Sequence, residues 1–192
     1  MEIIFATHNA HKVGEIQSLC PENIQLKSLK EIDFNKEVPE TSDTIAGNSF
    51  QKAEYIFKQF GKAVFSEDTG LEVTALNNLP GVRTARFAGE DATAEDNIQK
   101  LLLELEGKSN RNAQFVTVIT FIDEAKETHQ FKGVCQGEIL MAKTGNDGFG
   151  YDPIFKPLGS ELSFAEMSLS DKNIFSHRAK AFKLFVEFLN RK

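Results

Sequence analysis

Phe115-Val116-Thr117-Val118-Ile119-Thr120-Phe121-Ile122, the polar turn Asp123-Glu124-Ala125-Lys126 and a second run from Thr128 to Leu140 together decide the fold class. The first run is apolar and rich in β-branched residues, as a buried strand requires. The turn sends the chain back on itself, so the two runs form one long antiparallel hairpin. Outward from it, helix and strand patterns are interspersed. Ile3 to Ala6 predicts a short buried strand ended by Thr7-His8-Asn9, and Val13, Ile16 and Cys20 then share a helix face that Pro21 stops. A longer helix fits residues 42–60, with Ser49, Ala53, Ile56, Phe57 and Phe60 toward the core and Gly61 at its end. Ala63-Val64-Phe65 reads as a strand, and Leu71, Val73 and Ala75 as a half-exposed one before the turn Asn77-Asn78-Leu79-Pro80-Gly81. Thr93 and Asp96 have capping-box spacing ahead of Ile98, Leu101, Leu102 and Leu105. Ser176 caps a last helix that turns Ala179, Phe182, Phe185, Phe188 and Leu189 inward. Helices among strands, plus one hairpin, predict an α/β fold with a mixed sheet. With no repeat or linker in view, residues 1–192 are expected to form one domain.

Composition narrows the function classes. The chain has 192 residues, 41% hydrophobic and 26% charged, enough to bury a core without metal or disulfide support. A net charge of −6 argues against an extended grip on nucleic acid, which calls for a basic excess. A polyanionic ligand would therefore be small, held by a local Lys/Arg cluster or through a metal. Cys20 and Cys135 make no disulfide framework, and no apolar run approaches the ~20 residues that span a bilayer. Met1 to Ala6 is too short for a signal peptide's core and lacks a basic flank, so a cytoplasmic location is expected.

Five segments offer chemistry. Thr7-x-Asn9-x-x-Lys12 follows a strand and opens a helix, where free N–H groups, a hydroxyl and an ammonium make an anion pocket; taken alone, the segment reads rather as a capped helix with an exposed lysine. His8 and His11 have the spacing of a metal pair, but no third His or Cys lies nearby and Lys12 would repel a cation. Ser66-Glu67-Asp68-Thr69-Gly70 lies at the carboxyl end of an apolar strand, where open α/β sheets place ligands. Adjacent strand residues face opposite ways, so one of Glu67 and Asp68 pairs with a carboxylate from elsewhere unless the backbone turns at Gly70; Glu40 is the candidate partner for Mg²⁺. Asn48 and Lys52 share a helix face off the apolar stripe. Finally, Gly145 to Pro153, with Phe149 and Tyr151, offers backbone approach and stacking for a base, and Lys172, His177 and Arg178 bring cationic donors to a helix start.

In order, these segments resemble the inosine triphosphate/xanthosine triphosphate pyrophosphatase (Ham1-like) family. The resemblance rests on Thr7-x-Asn9-x-x-Lys12, on Glu40 with Asn48 and Lys52, and on Glu67-Asp68-Thr69-Gly70-Leu71. Pro80-Gly81-Val82-x-x-Ala85-Arg86-Phe87-Ala88-Gly89-Glu90, Gly148 to Phe155 and Lys172…Ser176-His177-Arg178 complete it, across essentially the whole chain. Two departures stand out: Glu67 where the family usually has a second aspartate, and Gly47-Asn48-Ser49 where Glu-Asn-Ala is common.

The resemblance implies a long mixed sheet flanked by helices, two lobes around a central cleft and a homodimer. It implies Mg²⁺-dependent hydrolysis of dITP/ITP and XTP to monophosphate and pyrophosphate, cleansing the nucleotide pool. Glu40 and Asp68 would hold the metal; Asp68 would be the proton acceptor, supported by Glu67, with Lys12 and Lys52 catalytic. Thr7, His8, Asn9, Ala10, His11, Lys12, Asn48 and Thr69 would contact substrate, as would Phe149, Gly150, Tyr151, Asp152, Lys172, His177 and Arg178. Cationic donors favour the 6-carbonyl of hypoxanthine or xanthine over adenine's amino group. The rival readings are a metal-dependent phosphohydrolase of other base preference and a non-catalytic nucleotide-binding module.

Overall fold

The computed structural model describes residues 1–191. In chain order the elements are β1 (Glu2–Phe5), α1 (Ala10–Gln17), β2 (Gln25–Ser28), α2 (Ile45–Phe60), β3 (Val64–Val73), β4 (Leu79–Gly81), α3 (Ala94–Glu104), β5 (Asn112–Ile122), β6 (Thr128–Ile139), β7 (Phe155–Pro157), α4 (Leu169–Phe175) and α5 (His177–Leu189). One mixed sheet runs in the order β2-β1-β3-β5-β6-β7, with β4 paired to β3. β1 is parallel to β2 and β3, while β4 and β7 are antiparallel to their partners. This is the expected α/β class with helices flanking a mixed sheet.

The chain divides into two compact units, and β3, β5 and β6 each contribute residues to both. The first comprises residues 1–68, 117–133 and 178 onward. α1 begins because the Asn9 side chain accepts from the backbone N–H groups of His11 and Lys12. Thr44 caps α2 in the same way through Gly47 N–H, and Gly61 closes it at φ +62°, a left-handed conformation that glycine adopts without strain. One core cluster of this unit is aromatic: Phe5, Phe65, Phe121, Phe182 and Phe185 are buried, with Phe5 edge-on to Phe65 at 4.7 Å between ring centroids. A second collects Ile4, Leu29, Phe34, Ala53, Ile56 and Val64, with the partly buried Tyr55 edge-on to Phe34.

The second unit comprises residues 69–116 and 134–177. Its core joins Leu71, Val73, Phe115, Cys135, Ile139, Tyr151, Phe155 and Phe164 with Ile98 and Leu101 of α3. The expected Thr93–Asp96 capping box is present in both directions. Asn97 is buried and joins α3 to the segment before it, accepting from Ala88 N–H at 2.8 Å and donating to the Ala85 carbonyl at 3.0 Å.

Three expectations are revised. The acidic segment 66–70 makes no turn at Gly70: β3 runs unbroken from Val64 to Val73 and pairs with β4 at Leu71 to Val73. α2 starts at Ile45 rather than 42, since Thr44 takes the capping position; Phe60 is 38% exposed, whereas Asn48 and Lys52, expected off the buried face, are inside it. Before the last helix stands a short one, α4, and Ser176 is its C-cap as well as the residue preceding α5.

Candidate active site

Strand alternation sends Glu67 and Asp68 of β3 to different partners. Glu67 meets Arg178, the first residue of α5 that belongs to the first unit, with Oε2 accepting from Nε at 2.9 Å and Oε1 from Nη2 at 3.2 Å. Lys12 of α1 reaches Glu67 Oε1 at 2.7 Å, and Arg178 Nη1 also donates to Glu15 of α1. Arg178, at 2% exposure, is the largest fully buried side chain described. Burial works against the charge of Glu67, but the Arg178 guanidinium and the Lys12 ammonium hold its carboxyl well below the usual range. Burial likewise opposes the charge of Arg178, and Glu67 and Glu15 keep it firmly protonated.

Asp68 turns to α2. Lys52 Nζ donates to Asp68 Oδ1 at 2.9 Å and to Glu40 Oε1 at 2.5 Å, so one ammonium bridges the two carboxylates expected to share a metal. Burial pushes the Asp68 carboxyl above its usual value, against the pull of Lys52 and Lys12. Burial also disfavours the charge on Lys52, yet Asp68 and Glu40 raise its pKa above the ordinary lysine value. Glu15, Glu40, Glu67 and Asp68 face Lys12, Lys52 and Arg178, four carboxylates against three cations. The cluster therefore has one excess negative charge and hard oxygen donors, which suits a cation such as Mg²⁺. Glu40 is the carboxylate with solvent access, its side chain 38% exposed.

The remaining candidates of the first unit line its polar loops. Asn9 caps α1 and Thr7 Oγ1 accepts from Asn9 N–H, leaving His8 in contact with the Lys36 carbonyl and the Phe34 ring. Ala10 and His11 are in the exposed first turn of α1. Asn48 is buried and accepts from Ser42 N–H. A separate group, Asp123, Glu127 and His129, has ligand atoms within 4.8 Å of one another at the tip of the β5–β6 hairpin, where Asp123 accepts from Glu127 N–H to hold the turn.

The second unit carries the other candidates. Lys172 of α4 is buried, donates to Asp152 Oδ2 at 2.6 Å and lies 5.2 Å from the centroids of both Phe149 and Phe164. Asp152 Oδ2 also accepts from Phe149 N–H at 2.8 Å. A side chain at Gly148 would place its first carbon 2.3 Å from that oxygen, so this loop closes only around glycine. Gly150 adopts φ +61° and is half-buried beside Phe149. The buried His177 ring stacks on Phe115 at 4.6 Å, and Thr69 is a half-buried residue of β3.

Two expectations change here. Tyr151, expected to stack on a base, is 3% exposed within the core and donates its hydroxyl to the Thr84 carbonyl at 3.0 Å. Arg178, expected as a cationic donor to substrate, is instead paired inside the protein with Glu67 and Glu15. Glu15 was not singled out from the sequence. Its signal was a carboxylate three residues beyond Lys12, next to the buried Ile16.

The Ham1 family profile matches residues 3–188. A protein of Flavobacterium johnsoniae called dITP/XTP pyrophosphatase is 49% identical over 189 residues, covering 98% of each chain. The solved Staphylococcus aureus Ham1 protein superposes with a TM-score of 0.90 at 39% identity, covering 99% of this chain and 98% of its own. A HAM1 protein from Coxiella burnetii gives 0.91 at 35% identity over the whole of both chains. With a profile match over nearly its full length and relatives well above 30% identity, this chain belongs to the Ham1 family.

Proposed function

We propose that this chain hydrolyses non-canonical purine nucleoside triphosphates, dITP/ITP and XTP, between the α- and β-phosphates, releasing the monophosphate and pyrophosphate. The observation that carries the reading is the buried cluster around Glu67 and Asp68, with its three cations and one excess negative charge, in a chain related to dITP/XTP pyrophosphatases. Such a cluster accepts a polyanion together with a divalent cation better than either alone. The proposed biological role is to clear deaminated purines from the nucleotide pool in the cytoplasm, with the chain acting as a homodimer and residues 1–192 as one functional domain.

Glu40 and Asp68 would hold Mg²⁺, which supplies charge neutralisation on the phosphates when bound. Thr7, Asn9, Lys12 and Lys52 cradle phosphate oxygens; Asn48, Thr69 and the backbone from His8 to His11 complete the contact surface. Asp68 orients the attacking water and takes its proton, a task suited to a carboxyl whose basicity is raised by burial. Glu67 keeps Lys12 in place, and Arg178 keeps Glu67 ionised. Base reading falls to Phe149, Gly150, Asp152, Lys172 and His177. The Lys172 ammonium, held beside Asp152, is a cationic donor that favours a 6-carbonyl, which adenine lacks.

The test is an equimolar panel of ITP, XTP, GTP, ATP and dUTP in ¹⁸O-labelled water with every product identified. Pyrophosphate and labelled inosine or xanthosine monophosphate are expected. Inorganic phosphate with a nucleoside diphosphate would reject the reading, as would equal turnover of ATP.

A further inference from the structure

Glu40 lies outside regular secondary structure, in the stretch leading to α2, so something must hold its carboxylate against Lys52. Two devices do so. The first is a reciprocal pair one residue after Glu40: Thr41 N–H donates to Gln51 Oε1 at 2.9 Å, and Gln51 Nε2 donates to Thr41 Oγ1 at 2.9 Å. The second is a notch in α2. Gly47 has no side chain, and Ser42 fills the space: a carbon added to Gly47 would be 2.0 Å from Ser42 Oγ, 2.8 Å from Ser42 Cβ and 2.8 Å from Thr44 Oγ1. Seated there, Ser42 donates its N–H to Asn48 Oδ1 at 2.8 Å, and its Oγ accepts from Thr44 N–H at 3.3 Å.

The three contacts in the notch differ in how they could be relieved. Ser42 Oγ is a side-chain end and can rotate away, and Thr44 Oγ1 can give slightly at the cost of its bond to Gly47 N–H. Ser42 Cβ is fixed to the backbone, so clearing it moves the main chain two residues from Glu40. An ordinary carbon–carbon contact needs about 3.5–4.0 Å, so the displacement is on the order of 1 Å. A shift of that size at a metal-holding carboxylate is enough to spoil its geometry.

We propose that Gly47 and Ser42 are positioning residues for the Glu40 carboxylate: the missing side chain at 47 seats Ser42, and the seated loop holds Glu40 where Asp68 can share a cation with it. The proposal rests on the reading of Glu40 and Asp68 as the metal-holding pair. It also gives a physical meaning to the departure at Gly47, where the resemblance leads one to expect glutamate: in this chain a glutamate Cβ would meet the seated Ser42.

The experiment measures Mn²⁺ binding by electron paramagnetic resonance, with a purine triphosphate analogue that cannot be cleaved between its α- and β-phosphates. Thermal melting is followed on the same samples. Gly47→Ala should weaken Mn²⁺ binding about tenfold, and Gly47→Ala combined with Ser42→Gly should recover most of that loss, because the second change removes both Ser42 atoms from the notch. Gln51→Ala, which removes only the reciprocal pair, should weaken Mn²⁺ about threefold and carries the test if Gly47→Ala does not fold. Unchanged Mn²⁺ binding in Gly47→Ala, or no recovery in the double variant, overturns the proposal, and so does unchanged binding in Gln51→Ala where it is the variant that folds. Glu40→Gln separates the two readings. If it leaves Mn²⁺ binding intact, the metal-holding role of Glu40 is wrong and the positioning proposal falls with it. If it abolishes binding while Gly47→Ala does not weaken it, only the notch is at fault.

Discussion

Both units bury a lysine, and they neutralise it in different ways. In the first, Lys52 is shared between Asp68 and Glu40, within a group that also contains Lys12, Arg178, Glu67 and Glu15. In the second, Lys172 pairs with Asp152 and lies over two ring faces, Phe149 and Phe164. A many-membered ionic group with charge left over can exchange partners when a metal and a triphosphate arrive. An ion pair set between aromatic walls suits an uncharged ligand such as a purine. Under the proposed function, charge chemistry would belong to the first group and base selection to the second.

The sharpest way to break that division is Asp68→Asn. The change removes a base and a charge but little volume, so turnover should fall by about a thousandfold or more while nucleotide binding persists, measured by kcat and by binding of an uncleavable analogue. Activity within tenfold of the parent would place the proton acceptor elsewhere.

Glu67→Gln tests the ionic group as a stabilising element. Removing one charge from a buried arrangement leaves its partners uncompensated, so the apoprotein should lose about 3 kcal/mol at neutral pH. The pH dependence has a definite sign. The folded-state pKa of Glu67 lies below its unfolded value of 4.5, so its contribution is complete above that pH and declines as pH falls toward the folded value. Denaturant titrations of parent and variant should therefore converge below about pH 4.5. A gap that stays constant on acidification would show that the loss comes from packing.

Lys172→Met should lower kcat/KM for ITP by about tenfold or more, roughly 1.4 kcal/mol, and affect ATP much less. Equal losses for the two substrates would remove base selection from the second unit. The smallest effect expected is that of Tyr151→Phe. Losing the bond to the Thr84 carbonyl should cost about 1 kcal/mol of stability. The ITP-to-ATP ratio should stay within about twofold, because a side chain in the core has no face left for a base. A collapse of that ratio would restore Tyr151 to the site.

Much of this was readable from the residues. The β5–β6 hairpin showed in two apolar runs around a polar turn, and the α3 capping box in two side chains three apart, because both are local signals. β2, β4 and β7, of three or four residues each, are too short for a period to register and exist through pairing with neighbours. The strand character of 66–70 was hidden because Glu67 and Asp68 look like surface residues; their cations come from Lys12, Lys52 and Arg178, far apart in sequence. Tyr151 was misjudged for a similar reason. An aromatic among glycines reads as exposed, and only the packing of the second core shows it inside.

The burial of Tyr151 has a spectroscopic consequence. The chain has no tryptophan and two tyrosines, and these fall one to each unit: Tyr55 beside Phe34 in the first, Tyr151 inside the core of the second. Each unit thus contains its own natural chromophore, free of indole background. The tyrosine band of Tyr55→Phe, at longer wavelength than the phenylalanine bands, reports the second unit, and that of Tyr151→Phe the first. Melting the two variants side by side shows whether the protein loses its structure in one cooperative step or two, with no label attached.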